Sequence, residues 1–218
     1  MRINIVTGHF GSGKTEFALN YALKLRQTHD NVVICDMDIV NPYFRTNDVR
    51  EFLKKHGIRV ISSEYASTNI DMPTLPGDIL SVFADKDCQA VLDVGGDEDG
   101  AVALGRFQSL IRQEPYNLFL VVNALRPLTQ TPEEVVQMAR EIEAASRLCV
   151  TALVNNTNLS VQTEPKHLLD GMPVVNAAAN MLGKEVAYLS GRPDILDALP
   201  PGLLAKRFDL NLYMQLPF

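Results

Sequence analysis

One segment of the chain has the spacing of a phosphate-binding loop, G-x-x-x-x-G-K-[ST], at Gly8-His9-Phe10-Gly11-Ser12-Gly13-Lys14-Thr15. Its glycines let backbone N–H groups converge on phosphate oxygens, and a helix that follows adds its positive end. Lys14 is expected to reach the β- and γ-phosphates, and the Thr15 hydroxyl to bind magnesium. A glycine-rich turn without a ligand is the alternative, but it gives no reason for Lys14 and Thr15 to follow there.

Two carboxylates, Asp36 and Asp38, follow the second apolar run of the sequence. One could orient or deprotonate an attacking water while the other helps to hold hydrated magnesium, because phosphoryl transfer depends mostly on positioning and charge compensation. By position, Asp36 is the first choice for the water and Asp38 the second. The alternative is that both cap the loop Asn41-Pro42-Tyr43.

A third carboxylate, Asp93, ends another apolar run and is followed by Gly95 and Gly96, which is a Walker B segment of the D-x-x-G kind. Asp93 would bind magnesium, usually through water. Gly96 would bring a backbone N–H to the γ-phosphate, so that the next segment responds when that phosphate is lost. The acidic residues 97–100 fit a mobile switch loop, and a solvated turn explains them equally well.

A run of asparagines at Asn155, Asn156 and Asn158 ends a later apolar run, where nucleotide-binding proteins often recognise the base. Guanine-specific proteins have Asn-Lys-x-Asp there, and the Asp accepts two hydrogen bonds from guanine. Asn158 stands in the place of that Asp and has only one acceptor oxygen, so adenine is favoured. Asn155 or Asn156 could bind adenine, or both could simply end the strand in a turn.

Composition narrows the classes of function. The chain has 218 residues and a net charge of −6, which argues against direct nucleic-acid binding through a basic surface. The sequence lacks a signal peptide and any apolar stretch near 18 residues, which predicts a soluble, cytoplasmic protein without a transmembrane segment. Cysteines and histidines are scattered, without the spacing of a metal site within one chain.

Apolar runs alternate with segments of helical period, a pattern typical of a parallel sheet covered on both faces. We predict a single nucleotide-binding domain over residues 1–218 with a doubly wound, mainly parallel sheet in three α/β/α layers. The last long helix is predicted to break at Gly171 and Pro173, and the tail after Asp194 to pack back or to cover a partner. Predicted strands lie near 2–7, 31–36, 58–62, 88–94, 116–123, 149–155 and 185–190, and predicted helices near 14–28, 46–56, 76–85, 100–113, 132–146 and 164–182.

Taken together, residues 8–15, 36–38 and 93–96 resemble the MinD/ParA-type ATPases of the SIMIBI class of phosphate-loop proteins. Asn155 and the segment 186–194 fall where that family has an adenine-side Asn and a Pro-x-Asp-like segment, so Pro193 joins the candidate nucleotide contacts. The resemblance implies ATP at the carboxyl edge of the sheet, slow hydrolysis, and often a homodimer with ATP in its interface. His9 stands where many members carry a second lysine that reaches the partner's nucleotide. A neighbouring branch, which includes synthetases resembling dethiobiotin synthetase, is therefore an alternative.

Three functions are compatible with these residues. The first is a magnesium-dependent ATPase that acts as a nucleotide-dependent switch, whose ATP and ADP states bind a protein partner differently. The second is an ATP-dependent small-molecule kinase or ligase, in which Arg45, Arg106 or Arg126 holds an acidic substrate. The third is a module that binds the nucleotide without hydrolysing it, and the presence of Lys14 with the carboxylates argues against it.

Overall fold

The computed structural model describes residues 1–38, 47–62 and 78–214. Its strands are β1 (Ile3–Thr7), β2 (Val32–Met37), β3 (Ile58–Ile61), β4 (Gln89–Val94), β5 (Tyr116–Val122), β6 (Ala152–Asn155), β7 (Glu185–Gly191) and β8 (Lys206–Asp209). They form one sheet in the order β3-β2-β4-β1-β5-β6-β7-β8, and every neighbouring pair is parallel. The predicted doubly wound parallel sheet is confirmed.

Helices cover both faces of this sheet. They are α1 (Lys14–Arg26), α2 (Asn47–Lys55), α3 (Ile79–Ala84), α4 (Glu98–Gly105), α5 (Gln108–Ile111), α6 (Pro132–Ser146), α7 (Pro165–Leu182) and α8 (Pro193–Asp197). Alternate residues of β4 belong to different apolar clusters: Ala90 and Leu92 pack in one, and Val91 in the other. Because successive strand residues point to opposite faces, the two clusters are the two interfaces of a three-layer α/β/α structure.

The seven predicted strands are present, but the helix predictions were wrong in two places. The helix predicted over 100–113 is two helices, α4 and α5. Helix α7 is continuous through Pro173; a capping box at Glu164 begins it, and Gly183, at a φ of 65°, ends it. Gly171 does not break α7 either, since a Cβ there would lie 2.1 Å from Thr157 Oγ1 and the glycine allows close packing.

The tail after Asp194 adds a strand, β8, beyond the seven predicted from the sequence. β8 pairs with β7, and Phe208 and Leu210 are buried. Of the two alternatives for this segment, packing back onto the domain is therefore the one observed for residues 195–214.

Strand order determines where the candidate residues meet. β1 lies between β4 and β5, and all the strands run the same way, so the loops that follow them share one edge. Over the described ranges, no helix combines the length and the apolar character needed to cross a bilayer.

Candidate phosphate-binding site

The phosphate loop, residues 8–15, connects β1 to α1 with a backbone that requires glycine. Gly11 and Gly13 have φ values of 76° and 81°, in the left-handed region. Gly8 packs so closely that a Cβ would lie 2.3 Å from the carbonyl oxygen of Val121. Gly13 is the N-cap of α1 and has no side chain to bind the first N–H groups of the helix. Backbone N–H groups at the start of a helix are common binding sites for anions.

Lys14 is buried beside a carboxylate. Its side chain is 6% exposed, and its Nζ lies 2.9 Å from Asp38 Oδ2. Asp36 Oδ1 accepts a hydrogen bond of 3.1 Å from the backbone N–H of Asp38. The pairing of β2 with β4 places Asp36 opposite Asp93. The three carboxylates selected from the sequence therefore lie together at the phosphate loop.

Thr15 and Asp93 are directly bonded, since the Thr15 hydroxyl donates to Asp93 Oδ2 at 2.8 Å. Burial raises the pKa of Asp93 from 3.8 to about 6, although nearby Lys14 and the Thr15 hydrogen bond favour the charged form. Within the described part of the chain, Asp93 Oδ1 and Ser12 Oγ are buried without a hydrogen-bond partner. Buried polar atoms are normally satisfied, so this pair indicates a place for a ligand.

The segment after β4 packs directly on the phosphate loop. A Cβ at Gly96 would lie 2.0 Å from the carbonyl oxygen of Gly8 and 2.8 Å from the backbone nitrogen of His9. The acidic stretch that follows is neither a loop nor a solvated turn. Asp97 caps α4 by accepting the N–H of Gly100 at 2.8 Å, and Glu98 begins the helix. The residue before Asp97 is therefore in direct contact with the phosphate loop at Gly8.

The asparagines at the end of β6 and directly after it are bonded within the protein. Asn155 donates to the carbonyl oxygen of Leu168 and accepts from both the backbone N–H and the hydroxyl of Thr157. Asn156 donates to the carbonyl oxygen of Ser12 at 2.7 Å and accepts from the Ser190 hydroxyl at 2.9 Å. Each amide nitrogen carries two N–H donors, so these bonds do not by themselves exclude an adenine contact. The proposed base contacts stay predictions.

A small pocket adjoins the end of the phosphate loop and extends toward β7 and α8. Arg192 lines it, and Pro193 follows as the first residue of α8. The Arg192 guanidinium is held by Asp194 and by the carbonyl oxygens of the 160–161 segment. The pocket is lined by Gly13, Glu16, Asn156, Thr157, Asn158, Thr163, Leu168, Ser190, Gly191, Arg192, Ile195 and Leu210.

Two residues that support the site were missed in the sequence. Asn123 is fully buried, and its Nδ2 donates to the carbonyl oxygens of Gly11 and Asn158. A polar residue directly after the apolar strand β5 was the available signal. Glu16 accepts the backbone N–H groups of Tyr213 and Met214, which ties the tail to the first turn of α1. These partners are too distant in sequence for any local pattern to reveal them.

Among the other residues selected from the sequence, His9, Phe10 and Arg126 lie at the loop. His9 Nδ1 lies 3.2 Å from the carbonyl oxygen of Phe10, and the Phe10 side chain is 60% exposed at the tip of the loop. Arg106 is exposed at the end of α4, whereas Arg126 Nε lies 3.3 Å from the carbonyl oxygen of Gly11. Arg45 and the loop 41–43 lie outside the described residues.

Known proteins resemble this chain in structure. Neither a protein-family model nor a curated protein sequence matches it. FtsY from Mycoplasma mycoides is 17% identical, with a TM-score of 0.53, over 85% of this chain and 58% of the other. The cell division protein FtsY from Thermotoga maritima is 16% identical, with a TM-score of 0.57, over 86% and 60%. This chain has their fold.

A further neighbour is the signal recognition particle 54 kDa protein from Aeropyrum pernix in complex with GDP. It is 15% identical, with a TM-score of 0.52, over 84% of this chain and 40% of the other. The chain spans less than two thirds of each of the three proteins. At these identities the likeness shows the fold, and the predicted three-layer phosphate-loop NTPase architecture is confirmed.

The raised pKa of Asp93 has a consequence for stability. A carboxyl that holds its proton more tightly in the folded state stabilises the protein below pH 3.8, and this contribution is lost as the pH rises through about 6. The shift corresponds to about 3 kcal/mol at neutral pH. We expect Asp93→Asn to raise the melting temperature of the nucleotide-free protein at pH 7, with the difference fading toward pH 4. Thermal denaturation across this pH range tests the expectation.

Nucleotide binding by the same variant, Asp93→Asn, should depend less on magnesium. Nucleotide affinity measured with and without Mg²⁺ should differ less in Asp93→Asn than in wild type, because the proposed support of the ion is weakened. Asp97→Asn, an exposed carboxylate that caps α4, is the matched control. If magnesium changed the nucleotide affinity of Asp93→Asn as much as that of the wild type, Asp93 would not be part of the magnesium site.

Proposed function

We propose that the protein binds a nucleoside triphosphate with magnesium, ATP in preference to GTP, and hydrolyses it as a nucleotide-dependent switch. One observation carries the proposal. The buried Lys14, the bonded pair Thr15–Asp93 and the unpartnered Ser12 hydroxyl meet at a glycine loop that opens onto the N-terminus of α1. These are the donors and the charge that a triphosphate chain requires. We treat residues 1–218 as one nucleotide-binding domain.

The residues present fit a magnesium ion. The Thr15 hydroxyl and the unpartnered Asp93 Oδ1 are oxygen ligands, which Mg²⁺ prefers, and one or two protein oxygens with phosphate oxygens commonly suffice. Thr15 and Asp93 would hold the ion, with Asp36 across the β2–β4 pair as the third candidate. When bound, the ion would neutralise charge on the β- and γ-phosphates.

The choice of ATP rests on Asn158. Its Nδ2 donates to the carbonyl oxygen of Asn156 at 2.6 Å, and its Oδ1 accepts the N–H of Ser160 at 3.0 Å. The side chain thus has its own partners and lacks the second carboxylate oxygen that guanine recognition uses. The GDP bound to the Aeropyrum pernix neighbour favours the opposite choice. We give more weight to the residue in this chain.

We expect ATP with magnesium to raise the melting temperature more than GTP with magnesium does, because a ligand that binds the folded state stabilises it by mass action. Thermal denaturation at equal nucleotide concentrations measures this. Tripolyphosphate with magnesium is the control for binding that involves no base. Equal or greater stabilisation by GTP would contradict the choice of ATP, and no stabilisation by any of the three would contradict nucleotide binding itself.

The switch function is supported by the contact between Gly96 and Gly8. Because Gly96 packs directly on the Gly8 carbonyl, a change in the phosphate loop could be transmitted to the start of α4. A protein partner, or a second copy in a homodimer, could recognise that movement. Hydrolysis that a protein stimulates would support the switch, whereas hydrolysis that depends on an acidic metabolite would favour the kinase or ligase.

A further inference from the structure

Charge compensation in the phosphate site is incomplete with Lys14 alone. A triphosphate carries several negative charges, and more charge reaches the leaving oxygen during hydrolysis. Lys14 is the single lysine of the phosphate loop, and its ammonium group already faces Asp38. A further cation at this loop would add to the charge that Lys14 and the proposed magnesium ion supply.

Arg126 is placed to be that cation. Its Nε donates to the carbonyl oxygen of Gly11 at 3.3 Å. The guanidinium lies so close to the loop that a Cβ on Gly11 would be 2.8 Å from Nε. In the described ranges, Nη1 and Nη2 of Arg126 have no hydrogen-bond or ion-pair partner, and the side chain is exposed. The end of the guanidinium is thus available to an anion at the loop.

The backbone around Arg126 is fixed by a bonded turn. The N–H of Arg126 donates to the carbonyl oxygen of Asn123 at 3.0 Å. The Thr129 hydroxyl lies 2.7 Å from that same oxygen and 3.1 Å from the carbonyl oxygen of Arg126. Thr129 is itself buried, so the turn is anchored in the protein. An arginine carried on a fixed backbone loses less entropy when it binds a ligand.

A purely structural role explains this contact less well. Asn123 already donates to the Gly11 carbonyl oxygen at 3.2 Å, so that oxygen has a partner without Arg126. The Asn123 side chain is buried, whereas the bond from Arg126 is exposed and contributes less to stability. The guanidinium therefore adds a positive charge to a loop whose carbonyl is already satisfied.

We propose that Arg126 is a catalytic arginine acting within its own chain, a role that rests on the proposed hydrolysis. A water oxygen bonds to the γ-phosphorus while the bond from that phosphorus to the β–γ bridging oxygen breaks. The electron pair of the broken bond stays on the nucleoside diphosphate, and the water's proton leaves with the phosphate or to solvent. Arg126 stabilises the charge that develops on these phosphate oxygens.

The test compares Arg126→Gln and Arg126→Lys with Arg112→Gln. Arg112 is also exposed and also donates to a backbone carbonyl, that of Arg147, but it precedes β5 at the opposite edge of the sheet. Turnover of ATP with magnesium and equilibrium binding of ATP are measured for each. We expect Arg126→Gln to lower kcat at least about 100-fold and to change the Kd for ATP by less than about threefold. Arg126→Lys should recover part of the rate, and Arg112→Gln should behave as wild type.

Mixing variants tests whether the arginine acts within its own chain. Lys14→Ala retains Arg126, so a mixture with Arg126→Gln would regain activity only if Arg126 reached a partner's nucleotide. We expect no recovery, and recovery would overturn action within one chain. Wild-type kcat in Arg126→Gln, or a weaker Kd with kcat unchanged, would overturn the catalytic role while leaving nucleotide binding intact. A wild-type protein that neither binds nor hydrolyses ATP would instead contradict the proposed function on which the role rests.

Discussion

Lys14→Ala is expected to lower the affinity for ATP at least about 100-fold, because it removes the ammonium group that reaches the β- and γ-phosphates. The sequence suggests that Lys14 faces solvent, which would leave the fold unaffected. That expectation was wrong: the side chain is 6% exposed and paired with Asp38. Without Lys14, Asp36, Asp38 and Asp93 remain close together, so the variant should also lose up to about 3 kcal/mol of stability at neutral pH. Calorimetric titration with ATP and thermal denaturation measure the two effects.

A second variant separates lost binding from lost stability. Adding Asp38→Asn to Lys14→Ala removes one of the uncompensated carboxylates, so the double variant should regain part of the melting temperature without regaining ATP affinity. Lys24→Ala is the matched control, since Lys24 is an exposed lysine on the same helix. The Lys24 ammonium group lies over the Phe208 ring. If the double variant or Lys14→Ala bound ATP with wild-type affinity, the central assignment of the phosphate loop would be untenable.

Asp38→Asn is expected to reduce hydrolysis about 100-fold without weakening ATP binding, because a carboxylate that orients or accepts a proton from water contributes about that much. From sequence position alone, Asp36 is the first choice for this role. The geometry favours Asp38, whose Oδ2 lies 2.9 Å from the Lys14 nitrogen that should reach the terminal phosphates. Removing its charge also removes competition for Lys14, so the Kd for ATP should be unchanged or lower. Single-turnover hydrolysis together with equilibrium binding provides the measurement.

Asp36→Asn is the comparison that decides between the two carboxylates. An amide at position 36 still has the Oδ1 that accepts the N–H of Asp38, so the backbone geometry is preserved. We expect hydrolysis to fall less than about tenfold in this variant, because the Asp36 carboxylate would act on the phosphates only through neighbouring groups. The reverse order, with hydrolysis lost in Asp36→Asn and retained in Asp38→Asn, would restore Asp36 to the catalytic role.

The sequence determined the architecture and the position of the glycine loop between β1 and α1, because both depend on local patterns. Alternating apolar runs and helical segments predicted the parallel sheet. Glycines at positions 11 and 13 are required where the backbone turns left-handed, and the helix must begin directly after them. Since parallel strands end at one edge, the sequence also predicted that Asp36, Asp38 and Asp93 would meet the loop.

Only the tertiary structure determined which atoms of that site are paired. The bond from Thr15 to Asp93 spans 78 residues, and the contact from Arg126 to Gly11 spans 115. Such contacts depend on strand order and on side-chain packing, since β4 and β5 must both lie beside β1 for them to form. Burial follows from the same packing, and it makes Lys14 a partner of Asp38 and raises the pKa of Asp93. Neither effect can be predicted from neighbours in the chain, because the groups that surround these side chains belong to distant segments.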